Sequence, residues 1–329
     1  ARAERPCMHP ARLITNELIP YASSAVDLSN ALKSLARGDS HNEKLYENIL
    51  KPCLLHRTSI RANSHTTAGH HPKPCTVEVQ FHEHGRFHVP DFFSAIGRLL
   101  SSASLSSRRL NTAQRIELLA AHAKLCKLSA PLVQARAPTT VQILWTENNR
   151  LDTRIALGSS LAWVKDRELF QMARAVRRQT LADLWSSALA TPTPMQRVFP
   201  ASNNGAFGSC WGDCAEANTL AALWRSVQSG TPLGTLAFNV ASLNAVHERS
   251  GQSACDVILS CSNPNPDHLF SVLKHANALR PMCRNCLHLK DALSARIVDF
   301  AIVESHVTAQ NSIHREDRHI QASREVALA

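Results

Sequence analysis

Apolar residues recur at helical spacing from the start of the chain. Leu13, Ile14, Leu18, Ile19, Ala25, Val26, Leu28, Leu32 and Leu35 predict helix over 11–35, interrupted at Pro20. The polar stretch from His56 to Pro74 reads as a loop. Thr76 to Phe81 then alternates as a strand, and Arg86 to Val89 returns as the other arm of a hairpin. Helical patterns follow at about 91–100 and 111–128. Val141 to Trp145 predicts a strand, with 151–157 returning from it. Residues 163–190 form a long amphipathic pattern, with Leu169, Phe170, Ala173, Val176, Leu181, Leu184 and Trp185 on its apolar side. Arg174, Arg177 and Arg178 lie within it and read as a solvated basic face, with a phosphate track as the alternative.

Thr191-Pro192-Thr193-Pro194 marks a break. Beyond it, Asp213 is expected to cap a helix running to about Val227, with Ala217, Leu220, Ala221 and Trp224 on one buried face. Strands are predicted at Thr235–Val240, Asp256–Ser260 and Arg296–Val303, and helices at His268–Ala278 and Cys283–Leu293. This succession implies an α/β fold, a mixed sheet flanked by helices, behind an α-rich N-terminal extension. The organisation expected is a basic N-terminal region over 1–160, a second domain over 161–310 and a polar tail over 311–329.

Composition narrows the class. With 329 residues and 44% of them apolar, the chain can bury a large core, which excludes a disulfide-stapled miniprotein and a disordered chain. No apolar run approaches the roughly 18–20 residues that cross a bilayer, and Ala1 to Pro6 has no signal-peptide character. An intracellular location, cytoplasmic or nuclear, and no membrane partner are the expectations. The charge is uneven: residues 1–200 hold 26 Lys/Arg against 15 Asp/Glu, whereas 201–329 hold 10 against 11. That asymmetry suits contact with a polyanion.

Six of the ten cysteines fall between Cys210 and Cys286. Local clustering of this kind reads as metal binding or thiol chemistry. Two segments carry it: Gly212-Asp213-Cys214-Ala215-Glu216 and Arg280-Pro281-Met282-Cys283-Arg284-Asn285-Cys286. Three thiolates without a fourth protein ligand is how a catalytic zinc site keeps one position open for water. Both segments fall at predicted helix starts, where the helix dipole favours thiolate. A carboxylate two residues past the first thiolate can serve the water instead of the metal.

At these positions the chain resembles the zinc-dependent cytidine and nucleic-acid deaminase superfamily, whose signature is His or Cys, any residue, Glu, then downstream Pro-Cys-x-x-Cys. The Cys-Ala-Glu form is that of free-nucleoside deaminases and some toxin-type members. The resemblance spans roughly 195–305 and implies that Cys214, Cys283 and Cys286 bind Zn2+ and that Glu216 shuttles the proton. It also implies that the Ala215 backbone N–H orients the pyrimidine, with Asn203 or Asn204 touching base or sugar and Trp211 stacking. The implied reaction is hydrolytic conversion of cytosine to uracil. Met282 intervenes between Pro281 and Cys283, and an inserted segment over about 244–280 is expected to loop out. The glutamate with which nucleoside deaminases grip the sugar has no counterpart here, so single-stranded DNA is expected ahead of RNA or free cytidine.

Other readings stand beside this one. Asp213 and Glu216 fit the first and fourth places of a capping box. Cys210 with Cys214, Cys283 and Cys286 would make a closed structural zinc site in a non-catalytic nucleic-acid-binding protein. A Cys283/Cys286 oxidoreductase lacks the expected context. Cys255 and Cys261 read as small buried hydrophobes, and the histidines at 65, 70, 71, 82, 84 and 88 as solvated.

Overall fold

The computed structural model describes residues 10–55, 77–81, 85–89, 91–103, 110–147, 154–165, 167–188, 212–248, 250–262, 265–292 and 295–302. The N-terminal apolar stretch divides where Pro20 requires, into α1 (Pro10–Glu17), a 3-10 turn (Ile19–Tyr21) and α2 (Ala25–Ala36), whose N-cap Ser24 accepts from the Asp27 N–H. Helices α3 (Ser40–Leu45) and α4 (Lys51–Leu55) complete this helical region, joined by a π turn over Tyr46–Leu50. Strands β1 (Val77–Phe81) and β2 (Gly85–Val89) pair as a separate antiparallel hairpin. Two helices follow, α5 (Phe92–Ala103) and α6 (Thr112–Ser129).

Four strands make the main sheet: β3 (Thr140–Thr146), β4 (Ile155–Ser159), β5 (Leu233–Asn239) and β6 (Ile297–Asp299), in the order β4-β3-β5-β6. The β4/β3 and β3/β5 pairs are antiparallel and β5/β6 is parallel, so the sheet is mixed and β4, β5 and β6 all run the same way. Between the strands lie α7 (Arg167–Ala188), α8 (Ala215–Ala222), α9 (Trp224–Gln228), α10 (Val240–Leu243), α11 (Ala254–Ser260), α12 (Pro266–His275) and α13 (Arg284–Ala292).

Helices cover both faces of the sheet. The Arg115 guanidinium of α6 lies 4.3 Å over the Trp145 ring on one face. On the other, Gln142 accepts from Thr219 of α8 (2.7 Å) and donates to Thr235 of β5 (2.6 Å). These alternate positions on β3 point to opposite faces, as pleating demands. The open edge of β4 is closed by α5, whose Ser101 Oγ accepts the Leu157 N–H (2.9 Å). One apolar core runs through the assembly, from Ala11 to Ile297. The boundary expected at 160/161 falls between β4 and α7, with two sheet strands before it and two after.

Four sequence expectations change, the first being the strand expected over Arg296–Val303, which is confined to β6 (Ile297–Asp299) with residues 300–302 helical. Residues 256–260 are helical, within α11, because Ser253 and Asp256 form a capping box that starts a helix. The expected insertion over 244–280 is not a loose loop. Ile258, Leu269, Phe270 and Leu273 of α11 and α12 are buried, and Lys124 of α6 binds Asp256 at 2.6 Å. The expected helix to Val227 breaks at Leu223, giving α8 and α9.

Candidate metal centre

The carboxyl ends of β4, β5 and β6 point to the same end of the sheet, and both cysteine segments gather there. Just past β4, Leu161 donates its N–H to the Asp213 carbonyl (2.7 Å). Arg174 of α7 grips the Asp213 carboxylate through Nε (3.0 Å) and a terminal nitrogen (2.6 Å). Gly212 holds φ +84, and a Cβ there would sit 3.0 Å from Arg178 Cγ, so only glycine turns the chain so close to α7. This pinned turn delivers Cys214 to the N-cap of α8. The capping-box alternative fails here: the cap is Cys214, with no side-chain cap bond, and both Asp213 oxygens belong to Arg174.

The second segment is fixed from the sheet. Leu279 bridges Phe238, and Arg280 donates to the Ala237 carbonyl (2.9 Å). Asp299, the last residue of β6, accepts the Met282 N–H (2.7 Å) and the Ala301 N–H (3.0 Å). Cys283 thus directly precedes α13, and Cys286 lies in its first turn.

The two segments meet. Cys214 Sγ and Cys283 Sγ are 3.3 Å apart, and all three sulfurs of Cys214, Cys283 and Cys286 lie within 4.8 Å of one another. A tetrahedral ion with metal–sulfur bonds of about 2.3 Å spaces its sulfurs by about 3.8 Å, between these two distances. The donor set and spacing therefore suit a metal ion. Among the described residues no other group of three His, Cys, Asp or Glu side chains is so placed.

Electrostatics agree with a cation site. Hydrogen bonding with Cys283, then burial and the nearby Glu216 charge, push the Cys214 thiol well above its ordinary range, and hydrogen bonding to Cys214 and Cys283 does the same for Cys286. These thiols stay protonated without a cation, and a divalent ion bound among them would have to displace their protons. Glu216 is 4% exposed on the first turn of α8. Burial first, then the Cys283 sulfur, raises its carboxyl to about 7, although the Glu216 and Cys283 backbone N–H groups pull it back.

The structure brings together Cys214, Cys283, Cys286 and Glu216, and places Ala215, fully buried, at the first position of α8. Asn203, Asn204, Trp211 and Cys210 lie outside the described residues, as do His65, His70, His71, His82 and His84. Cys255 is buried, as expected, with its Sγ toward the Ala120 carbonyl (3.4 Å), whereas Cys261 is half-buried. The solvated basic face is corrected. Arg174 is committed to Asp213, and Arg177, 2% exposed, binds Asp91 (2.8 Å), Ser94 Oγ (2.7 Å) and the Ser159 carbonyl (3.2 Å).

Sequence reasoning missed three supports of the site. Asp299 is a lone acid in an apolar strand, which is itself a signal of a special role. Arg174 anchors the turn before Cys214. Gly158 of β4 lets α8 approach: a Cβ there would lie 2.7 Å from Thr219 Cγ2 and 2.8 Å from the Ala215 carbonyl oxygen. No family model, no curated protein and no solved structure matches the chain.

Proposed function

We propose that the chain is a zinc-dependent hydrolytic deaminase that converts cytosine to uracil in single-stranded nucleic acid, DNA before RNA, on a fold of the deaminase type. The observation that carries this reading is the placement of one buried carboxylate, Glu216, against three clustered thiols at a helix start. A closed structural site has no need of a buried acid beside its sulfurs, and burying a carboxylate is costly even when backbone N–H groups meet it. The uneven basic charge and the missing sugar-gripping glutamate favour a polynucleotide over a free nucleoside.

Cys214, Cys283 and Cys286 would hold the ion. Zinc bound there supplies a Lewis acid that makes water nucleophilic near neutral pH. Glu216 moves the protons: it takes one from the attacking water and passes it to N3, then takes the second from the new C4 hydroxyl and passes it to the departing amine. A C–O bond forms at C4 as the C–N bond breaks, so cytosine and water give uracil and ammonia. Ala215 offers its backbone N–H to the pyrimidine carbonyl, and the proposed contacts of Asn203, Asn204 and Trp211 would come from the segment before the turn.

Single-stranded DNA and RNA oligonucleotides carrying one cytosine, incubated with wild type and Glu216→Ala, test the reading by mass spectrometry of the product. Uracil with the wild type, its loss in the variant and equal zinc in both are expected. Equal inactivity in a zinc-loaded protein that binds the strands tightly would favour the non-catalytic nucleic-acid-binding alternative.

A further inference from the structure

Three tryptophans have described side chains, and two of them, Trp145 and Trp224, are buried. Trp163 instead leaves 47% of its surface in water. It follows β4 on the same strand end that holds the Cys214 turn: Leu161, two residues earlier, is the one bonded to the Asp213 carbonyl. Two extended residues span about 7 Å, so the Trp163 backbone lies within that reach of the residue bonded to the Cys214 turn.

The indole is also held in place. Arg136 donates its backbone N–H to the Trp163 carbonyl (2.9 Å), and the adjoining Ala135 bridges Val164. The Arg136 guanidinium sits 5.2 Å from the indole centroid. Lys165 and Arg167, both exposed, add positive charge close by, against one exposed acid among the described neighbours, Glu168; Asp166, between them in the sequence, lies outside the described residues. An exposed indole with a planar cation against it offers a π surface for an unpaired base and a charge for its phosphate. A free nucleoside has no phosphate for Arg136 to meet.

We propose that Trp163 and Arg136 form a platform for single-stranded polynucleotide, stacking one unpaired base and holding its phosphate beside the nucleotide that enters the cysteine cluster. The proposal rests on the single-stranded-substrate reading above and names the residues that make the polymer, and not the nucleoside, the ligand. Aromatic stacking is sequence-tolerant, so the platform contributes affinity without reading the base.

The test is fluorescence anisotropy of labelled 15-mers with the full zinc-loaded chain, in a Glu216→Ala background so that no strand is converted. The strands are deoxycytidine, cytidine and an abasic deoxyribose polymer that keeps the phosphates. Trp163→Ala should weaken binding to a base-bearing strand by about fivefold to a hundredfold and leave the abasic strand unchanged. Trp163→Phe should stay within about twofold of the parent. Arg136→Gln should weaken all strands and lower the slope of log affinity against log salt by about one. Whichever of the deoxyribose and ribose strands loses more identifies the preferred sugar. Zinc content and melting temperature, read alongside, should match the parent. Unchanged affinity in Trp163→Ala, or an equal loss on the abasic strand, overturns the platform. Uracil formation by the wild type together with that result removes the platform alone, whereas base-dependent loss without any uracil formation removes the deamination reading alone.

Discussion

Replacing Gly158 with alanine adds one methyl group and should disable the metal centre without touching a ligand. The new Cβ would lie 2.7 Å from Thr219 Cγ2 and 2.8 Å from the Ala215 carbonyl oxygen. Ordinary contacts for such pairs begin near 3.4 Å, so something must yield by about 0.6 Å. Thr219 cannot simply rotate away, because its hydroxyl donates to the buried Gln142 side chain (2.7 Å). The strand cannot retreat either, since it is paired with β3 on one side and bonded to Ser101 on the other. Helix α8 must therefore lift at its N-terminal end, carrying Ala215 and, on either side of it, Cys214 and Glu216. Overpacking of this kind costs about 1–3 kcal/mol, and a comparable disturbance of a ligand's support weakens metal binding by about tenfold to a hundredfold. Urea denaturation measures the first quantity, and competition with a chromophoric zinc chelator the second. Gly230→Ala is the control: its φ of +67 makes alanine strained, yet nothing lies within 4 Å. It should lose stability with unchanged zinc affinity. Full zinc affinity and full stability in Gly158→Ala would refute the account of how α8 is seated.

Serine at any one of Cys214, Cys283 or Cys286 should drop zinc content from one ion per chain toward none by atomic emission, whereas Cys261→Ser should retain it, since that thiol lies outside the cluster. Arg177→Ala should destabilise the chain by about 3–5 kcal/mol in urea, because it strands the Asp91 carboxylate in a site made for the ion pair. His122 is fully buried with neither ring nitrogen hydrogen-bonded, and burial lowers its pKa from 6.5 to about 4. Between those values the unfolded chain binds the proton that the folded chain refuses, so stability is complete above about pH 6.5 and falls toward pH 4, by about 3 kcal/mol in all. His122→Leu should flatten that part of the curve of unfolding free energy against pH, and an unaltered slope would show that other groups set it.

The sequence exposed most of what is local in this fold and little of what is long-range. Period-3.6 patterning located α7 and alternation located the hairpin, because side-chain direction repeats every 3.6 residues in a helix and every second residue in a strand. Asp256–Ser260 misled for an equally local reason. Its valine, isoleucine and leucine suit a strand, but the Ser253–Asp256 capping box that starts a helix stands in the same sequence and outweighs them. The arginines of α7 misled for a different reason. Arg174 and Arg177 look like a wet basic face because their partners, Asp213 and Asp91, lie 39 and 86 residues away in the chain.

The candidate site divides along the same line. Its cysteines and acid were legible because a metal site restricts the residue types and their short-range spacing: a thiol two residues before an acid, and two thiols one helical turn apart. What brings these two pieces within 4.8 Å of each other was not legible, for it depends on a bare strand position, an arginine–aspartate pair and an aspartate accepting backbone N–H groups. Only Asp299, the lone acid of its strand, stands out locally, yet each fixes one side of the cluster: Gly158 sets the height of α8, Arg174 the turn before Cys214, and Asp299 the approach to Cys283. The consequence is a ranking that motif reasoning alone would invert. Asp299→Asn keeps the size of the side chain but weakens its bond to the Met282 N–H, and it should loosen zinc, although Asp299 is no ligand and sits on a strand that looks like plain core.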